Sequence, residues 1–426
     1  MTATLFIIFF ALALINVPIA IALMAATAVP VMAFTDLNII VVIQRFFYSL
    51  NSFPLMSIPF FVLAGGFLSE GGVSRRLVNL ADAIVGSLPG GMAIAAFVAS
   101  ALFGAISGSA TATVAAIGSI IVPALLKSGY DLKFSLATVA SAGYLGIIIP
   151  PSIPMVTYGL ATGVSVGDLF LCGFIPGIIL VVFMSVYAVV YGKRHIPITS
   201  KFSWKKLGKT FVDSIWALGM PIIILGGIYS GVFTPTESAA VACVYAILVG
   251  CFVYRELTFK QIIEIFKSSF RSSAMILFIV AAAAAFGWLM TWANIPAQIA
   301  EAIIRVSPNK YVFLLLVNLL LLFVGVFMDT NAAILILAPI FMIMLPTYHI
   351  DPLAFGVVMV VNLAIGLLTP PLGLNIYVAA GLRDVKPDVV INRHLVWYIV
   401  LSILALLLFT YVPGIVTLLP HLIHGG

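Results

Sequence analysis

The sequence predicts an all-α polytopic membrane protein that contains two inverted structural repeats. In each repeat we expect a re-entrant helical hairpin, followed by a transmembrane helix that a Pro-Pro pair breaks. Three observations support this prediction. Only 8% of the 426 residues are charged and 63% are hydrophobic, which leaves too few charges to solvate a soluble protein of this size. One set of motifs occurs twice, and each copy holds a polar interruption inside an apolar segment.

The first polar interruption lies between Pro89 and Pro123, where the run Ser107–Thr111 separates two apolar limbs. The limbs, Gly91–Ala105 and Ala112–Leu125, are each shorter than the roughly 20 residues that span hydrocarbon. Unpaired backbone groups at such a tip are tolerated at membrane depth only inside protein or beside water. The segment therefore predicts a re-entrant hairpin. Two ordinary short helices joined by a loop are the alternative.

The second copy repeats the motifs of the first at a nearly constant offset of 219 to 221 residues. The pairs are Leu80 with Ile299, Pro89 with Pro308, Gly104 with Gly325, Asp131 with Asp351, Gly146 with Gly366, Pro150-Pro151 with Pro370-Pro371, and Asp168 with Asp388. Chance does not produce such an ordered series, and internal duplication is a known architecture of secondary transporters. The predicted units are a first repeat at 1–192 with its hairpin at 89–125 and its broken helix at 132–163, a linker at 193–210, and a second repeat at 211–426 with its hairpin at 311–346 and its broken helix at 353–382.

Basic residues predict how the repeats are oriented. The linker at 193–210 is the densest basic loop, so the positive-inside rule places it in the cytoplasm. Counting spans from it gives the repeats opposite orientations, so that their hairpins enter the membrane from opposite faces. Residues 1–33 are compatible with one span or two, because about 45 Å of helix is long for one and short for two. The net charge of +6 is distributed over short loops, which predicts no nucleic-acid partner.

The breaks themselves predict ion and substrate chemistry. A helix that stops inside the membrane exposes unpaired N–H or C=O groups. A helix N-terminus suits an anionic group, whereas unwound carbonyls and hydroxyls suit a hard cation such as Na⁺. The candidate Na⁺ ligands are Ser107, Ser109, Gly146, Ile149 and Pro151 in the first repeat, and Gly325, Asp329, Thr330, Gly366, Thr369 and Leu372 in the second. The alternative is that these small residues only let helices pack closely.

A second set of polar residues near the breaks is predicted to bind substrate. This set is Thr111, Ser152, Asn331 and Asn375. Two acidic residues, Asp329 and Glu237, are predicted at membrane depth, where ionisable groups are costly and often functional. Asp329, at a hairpin tip, is the stronger functional candidate and could ligate a cation or cap a half-helix, whereas a functional role and a helix cap are equally open for Glu237. The sequence contains no glycine-rich phosphate loop, so we expect a transporter that does not hydrolyse ATP and not an enzyme.

Four motifs resemble the large membrane subunit of tripartite ATP-independent periplasmic (TRAP) transporters, the DctM type. They are Gly231–Ala240, Gly108–Thr111, Ile149–Pro154 and Leu368–Asn375. The resemblance covers essentially the whole chain. It implies an elevator-type importer of an organic anion, such as a C4-dicarboxylate or sialic acid, in the bacterial inner membrane. It also implies Na⁺ as the coupling ion and a fold related to dicarboxylate/Na⁺ symporters.

The same resemblance implies two protein partners in addition to the lipid bilayer and a carboxylate substrate. A small four-helix membrane subunit (DctQ type) is expected as a separate chain, and a soluble periplasmic protein (DctP type) is expected to deliver substrate. Two other functions stay open from the residues. One is a single-component carboxylate/cation symporter that works without a binding protein, and the other is a passive anion channel.

Overall fold

The computed structural model describes residues 1–15, 17–196, 202–371 and 373–424. Within these ranges the chain forms twenty α-helices and no β-strand. Eight helical segments of the described chain are long and apolar enough to cross a membrane. The prediction of an all-α protein with many spans is therefore confirmed.

The first half of the chain begins with two short helices of 13 and 16 residues, so whether residues 1–33 form one span or two stays open. Pro18 precedes the second of them and has no N–H to continue the first. The helices are α1 Thr2–Leu14, α2 Ile19–Phe34, α3 Ile40–Leu50, α4 Ser57–Glu70, α5 Val73–Val85, α6 Gly91–Ser107, α7 Ala110–Lys127, α8 Leu132–Gly143, α9 Ile153–Thr162 and α10 Val166–His195.

The second half contains the same order of elements from α5 onward. Its helices are α11 Trp204–Tyr229, α12 Pro235–Leu248, α13 Phe259–Trp292, α14 Ile295–Val306, α15 Lys310–Phe327, α16 Thr330–Met344, α17 Pro352–Gly366, α18 Leu374–Gly381, α19 Arg393–Tyr411 and α20 Gly414–His424. The run α5 to α10 matches α14 to α19 in order, and the separate helices α3 and α4 match the single long helix α13. A duplication would produce this order, and the division into two repeats stays a prediction, as does their opposite orientation.

Each predicted hairpin is a pair of helices joined at a short polar turn. In the first, α6 and α7 have 17 and 18 residues, and each extends about two residues closer to the tip than the sequence predicts. Two local features set these ends. Gly108 has a left-handed backbone with φ 60° that terminates α6, and the Ser109 side chain accepts a hydrogen bond from the backbone of Ala112 to start α7.

The second limb of each hairpin packs across the repeat boundary. Helix α7 contacts α18, and helix α16 contacts α9. Each hairpin thus rests on the second half of the broken helix that belongs to the other repeat. Contacts of this kind bring both tips and both breaks into one region of the molecule.

The start of α5 is fixed by an arginine with several partners. Arg76 donates to Glu256 Oε1 at 2.8 Å and to the carbonyl of Gly72 at 2.8 Å. Its guanidinium carbon lies 3.6 Å from the centre of the Tyr254 ring. The side chain of Arg76 is 15% exposed, compared with 62% for Arg75. These contacts tie the helix before the first hairpin to the connector that precedes α13.

Replacing Arg76 with Lys is expected to lower the free energy of unfolding by about 2 kcal/mol, because an ammonium cannot keep the planar stacking and forked hydrogen bonds together. The midpoint of thermal unfolding in detergent measures the effect. Arg75→Lys is the matched control and should change little, since Arg75 is exposed and has one partner, Glu256. Equal shifts in the two variants would contradict this account of α5.

Candidate functional site

The first break lies between α8 and α9. Helix α8 passes into a 3₁₀ turn at Tyr144–Ile147, the peptide between Pro150 and Pro151 is cis, and Ser152 then caps α9. The Ser152 hydroxyl donates to the carbonyl of Ile147 at 2.5 Å and accepts from the amide of Met155 at 3.3 Å. Both contacts of Ser152 thus satisfy backbone groups of its own break.

Hydroxyl groups at the first tip form a connected cluster beside this break. The hydroxyls of Ser107 and Thr113 lie 3.2 Å apart, and Thr113 donates to the carbonyl of Ser109 at 2.7 Å. Ser109 and Thr111 are 3.4 Å apart through their hydroxyls. The carbonyl of Gly108 accepts from the amide of Ile153 at 3.4 Å. The tip of the first hairpin therefore contacts the N-terminus of α9 directly.

Glycines let the first hairpin and its break approach through their backbones. A Cβ added at Gly104 would lie 2.8 Å from the Cα of Gly146. One added at Gly146 would collide with the Thr113 hydroxyl and lie 2.8 Å from the carbonyl oxygen of Ser109. Gly146 thus presents bare backbone to the hydroxyl cluster. The structure brings the predicted ligands Ser107, Ser109 and Gly146 together.

The second tip is organised by a carboxylate. Asp329 accepts from the backbone amides of Asn331 at 2.9 Å and Ala332 at 3.4 Å, so the capping alternative for this residue is confirmed. The hydroxyl of Thr330 is buried and has no hydrogen-bond partner among the described residues. An added Cβ at Gly366 would collide with the carbonyl oxygen of Gly325. The second hairpin and its break therefore meet through backbone contacts as the first pair does.

The second break lies between α17 and α18 and contains the cis peptide Pro370–Pro371. The Thr369 hydroxyl donates to the carbonyl of Ile365 at 3.1 Å. Gly373 has φ 33° and caps α18. The predicted ligand Leu372 lies outside the described residues. Of the predicted ligands in this half, Gly325 and Gly366 are in contact, and Thr369 lies within the break itself.

Two hydrogen bonds connect the repeats through these breaks. The hydroxyl of Thr157, in α9, donates to the side-chain oxygen of Asn331 at 3.1 Å. The amide nitrogen of Asn375 donates to the carbonyl of Ala140 at 3.1 Å, while its oxygen is buried without a partner among the described residues. A Cβ added at Gly143 would lie 3.3 Å from the nitrogen of Asn375. Each asparagine therefore follows a helix start in one repeat and reaches into the other.

Glu237 lies apart from this region. Its carboxylate accepts from the backbone amide and the hydroxyl of Thr234, each at 2.8 Å, and these contacts complete a capping box at the start of α12. The residue is exposed. The capping alternative for Glu237 is confirmed.

Sequence reasoning missed three groups of polar residues. Thr113 belongs to the hydroxyl cluster of the first tip. The Thr-Ala-Thr run at 111–113 is the sequence feature that could have predicted it. Thr157 is a lone hydroxyl in an apolar helix. A buried chain of side chains also connects α15, α17 and α19: Asn362 donates to the side-chain oxygen of Asn318 at 2.8 Å, and Asn318 donates to Thr410 at 3.0 Å. Single polar residues in apolar runs carry no pattern that predicts such pairs.

Known proteins share both the sequence and the fold. Residues 6–415 match the sequence model of a family described as "Tripartite ATP-independent periplasmic transporter, DctM component". The chain is 43% identical over 417 residues to the isethionate TRAP transporter permease protein DctMQ of Oleidesulfovibrio alaskensis, covering 96% of this chain and 64% of that protein. It is 42% identical over 378 residues to the C4-dicarboxylate TRAP transporter large permease protein DctM of Pseudomonas aeruginosa, covering 88% of each.

A sialic acid TRAP transporter large permease protein, SiaM of Vibrio cholerae, is 35% identical over 383 residues, covering 90% of each chain. Among solved structures, the YdaH transporter of Alcanivorax borkumensis superposes with a TM-score of 0.61 and 16% identity, covering 88% of this chain and 87% of that one. At that identity the likeness concerns the fold alone. The chain spans less than two thirds of the isethionate relative but most of the other two permeases.

Proposed function

This chain belongs to the family of the DctM component of TRAP transporters, and from that premise we propose that it imports an organic anion by secondary active transport. Members of this family are multi-pass proteins of the inner membrane that transport and are not enzymes. We propose a carboxylate as substrate and an inward Na⁺ gradient as the driving force. A periplasmic binding protein delivers the substrate, and a small membrane subunit of the DctQ type braces this chain.

The observation that carries the proposal is that helices of the two repeats contact each other beside their Pro-Pro breaks. The bond from Thr157 to Asn331 joins α9 to the start of α16. Asn375, near the start of α18, lies against Gly143, whose added Cβ would also be 3.1 Å from the carbonyl oxygen of Ala110 at the start of α7. Helix N-termini attract anions because their first amides are unpaired. Starts of helices from both repeats converge here, which suits a carboxylate substrate.

We assign one Na⁺ site to the first tip. The donors are the hydroxyls of Ser107 and Ser109 with the backbone of Gly146, Ile149 and Pro151. Hydroxyls and carbonyls that converge on a bare glycine backbone match the ligand preference of a hard cation. Thr113 joins this set, since it bonds both serines.

We assign a second Na⁺ site to the second tip, with Gly325, Asp329, Thr330, Gly366 and Thr369 as its ligands and Leu372 carried over from the sequence. The buried Thr330 hydroxyl without a partner among the described residues supports this assignment, because burial of an unpaired hydroxyl is costly. The carboxylate of Asp329 supplies the negative charge that offsets the cation. The first site is uncharged, so the two sites differ in their electrostatics.

Substrate binding is assigned to Thr111, Ser152, Asn331 and Asn375. Asn375 is the strongest candidate, because its side-chain oxygen is buried and unpaired among the described residues. Ser152 acts through the cap that it places on α9. The hairpins and broken helices form the moving unit of an elevator, and the remaining helices form its scaffold. Binding of Na⁺ at the tips orders the helix starts on which the carboxylate docks.

The test is reconstitution in proteoliposomes with the small subunit and binding protein of the same system, followed by a screen of radiolabelled carboxylates. We expect accumulation that requires both an inward Na⁺ gradient and the loaded binding protein. Uptake without the binding protein would favour a single-component symporter instead. Equilibrating flux that persists with no Na⁺ gradient would indicate a channel and overturn the proposal.

A further inference from the structure

A cavity of about 500 Å³ opens between the end of α10 and the beginning of α19, away from both breaks. Its walls combine aromatic and basic side chains, namely Tyr187, Tyr191, Arg194, His195, Arg393 and His394. None of these residues belongs to the transport site described above. Helices α10 and α19 hold equivalent places in the two repeats, and the cavity lies where the end of α10 meets the beginning of α19.

Aromatic stacking holds the walls of this cavity in place. Tyr191 stacks on Phe134 with ring centres 3.8 Å apart and on His195 at 4.4 Å. The Tyr187 hydroxyl and Nδ1 of His394 lie 2.7 Å apart. Nδ1 of His195 lies 3.0 Å from the carbonyl of Tyr191. The cavity is therefore built by packed side chains and is not a gap between loose loops.

The cavity carries a net positive charge. Arg194 and Arg393 are exposed, and neither forms an ion pair with a residue in the described part of the chain. One carboxylate, that of Asp131, lies close enough to Tyr191 and His394 to offset part of this charge, and it also accepts from the backbone amides of Lys133 and Phe134. Two guanidinium groups in one pocket suit a phosphate, which they can bind with paired hydrogen bonds.

The cavity lies where a membrane lipid would present its headgroup. The positive-inside rule places the basic ends of α10 and α19 in the cytoplasm. From this end an apolar, outward-facing stripe runs along each helix toward the membrane interior. Exposed apolar side chains form it, with Ile178, Val182, Val186 and Val190 on α10 and Val396, Trp397, Val400 and Leu404 on α19.

We propose that this cavity binds the phosphate-bearing headgroup of an anionic phospholipid from the cytoplasmic leaflet. Arg194 and Arg393 bind the phosphate, and His195 and His394 contact the rest of the headgroup. The acyl chains lie along the two apolar stripes. The stripes favour a lipid over free phosphate, since a soluble anion gains nothing from them. Basic pockets between membrane helices on the cytoplasmic side recognise anionic headgroups by this chemistry. The lipid links the last long helix of each repeat at one end.

The test is native mass spectrometry of the full-length chain in detergent, titrated with phosphatidylglycerol, phosphatidylcholine or inorganic phosphate. We expect one tightly bound phosphatidylglycerol per chain. The double variant Arg194→Gln/Arg393→Gln should bind it roughly 10- to 30-fold more weakly. Arg383→Gln, which removes an exposed arginine outside the cavity, should bind as the parent does. Arg393→Lys keeps the positive charge, so its affinity for phosphatidylglycerol should fall less than that of Arg393→Gln.

Three outcomes would overturn the assignment. The first is equal weakening by Arg383→Gln, which would indicate a general surface-charge effect. The second is equal affinity for phosphatidylcholine, which carries no net charge. The third is binding of inorganic phosphate as tight as that of the lipid, which would assign the pocket to a soluble anion. Thermal unfolding of each variant without lipid checks that a weaker signal does not come from a misfolded chain.

Discussion

Transport by the Gly366→Ala variant is expected to fall by on the order of 10-fold or more, because the methyl group forces the second hairpin away from its break. A Cβ at this position collides with the carbonyl oxygen of Gly325 and lies 2.7 Å from its Cα. Backbone atoms on both sides cannot move aside as a flexible side chain would. The overpacking should also lower the free energy of unfolding by about 1–3 kcal/mol. Proteoliposome uptake and thermal unfolding measure the two effects.

Gly381→Ala is the matched control for this variant. Gly381 ends α18, and a Cβ added there meets no atom within 4 Å. The same chemical change should leave uptake intact, and it adds a residue with better helix propensity. Full uptake by Gly366→Ala, or an equal loss in both variants, would show that the close contact of hairpin and break is not required.

The Asp329→Asn variant is expected to require roughly 10- to 100-fold more Na⁺ for half-maximal uptake, because it loses the one carboxylate of the second site. Asparagine keeps the side-chain oxygen that accepts from the amides of Asn331 and Ala332, and it is as good an N-cap as aspartate. The substitution therefore separates a role in ion binding from a role in capping. Initial uptake rates across a series of Na⁺ concentrations measure it.

Asp351→Asn provides the control, since Asp351 caps α17 by accepting from the amide of Leu353 at 2.7 Å and lies on the surface. Its Na⁺ dependence and thermal midpoint should match those of the parent. An unchanged Na⁺ dependence in Asp329→Asn would remove Asp329 from the proposed ligands. A large fall in the thermal midpoint of that variant alone would indicate that the charge stabilises the tip itself.

The architecture could be predicted from the sequence where polar residues interrupt long apolar runs. Such interruptions are costly in a membrane, so the tip at 107–111 and the Pro-Pro pairs stand out against their surroundings. Each of these features occurs once in each half of the sequence, which strengthens the prediction of two hairpins and two broken helices. Caps at Asp329 and Glu237 are one of two interpretations that residue type and spacing leave open, and the observed capping bonds are local to each helix.

Other features depend on distances that one sequence does not encode. The bond between Thr157 and Asn331 joins residues 174 positions apart, and no local pattern relates them. Asn318 and Asn362 are isolated polar residues whose pairing depends on how α15 and α17 pack. Helix α6 ends closer to the tip than the sequence predicts, because it continues until Gly108 adopts a left-handed backbone. The length of residues 1–33 does not decide between one span and two, and the structure adds only that the helix is interrupted before Pro18.

The central claim is that the repeats are oppositely oriented, so that their hairpins reach the shared site from opposite faces. Lys127 and Thr347 are equivalent positions at the outer ends of the two hairpins, and both are exposed. Single cysteines placed there, in a chain whose own Cys172, Cys243 and Cys251 are replaced, can be labelled with a membrane-impermeant maleimide. In right-side-out spheroplasts, Thr347→Cys should react at once and Lys127→Cys only after permeabilisation. Labelling of both from the same side would contradict the account.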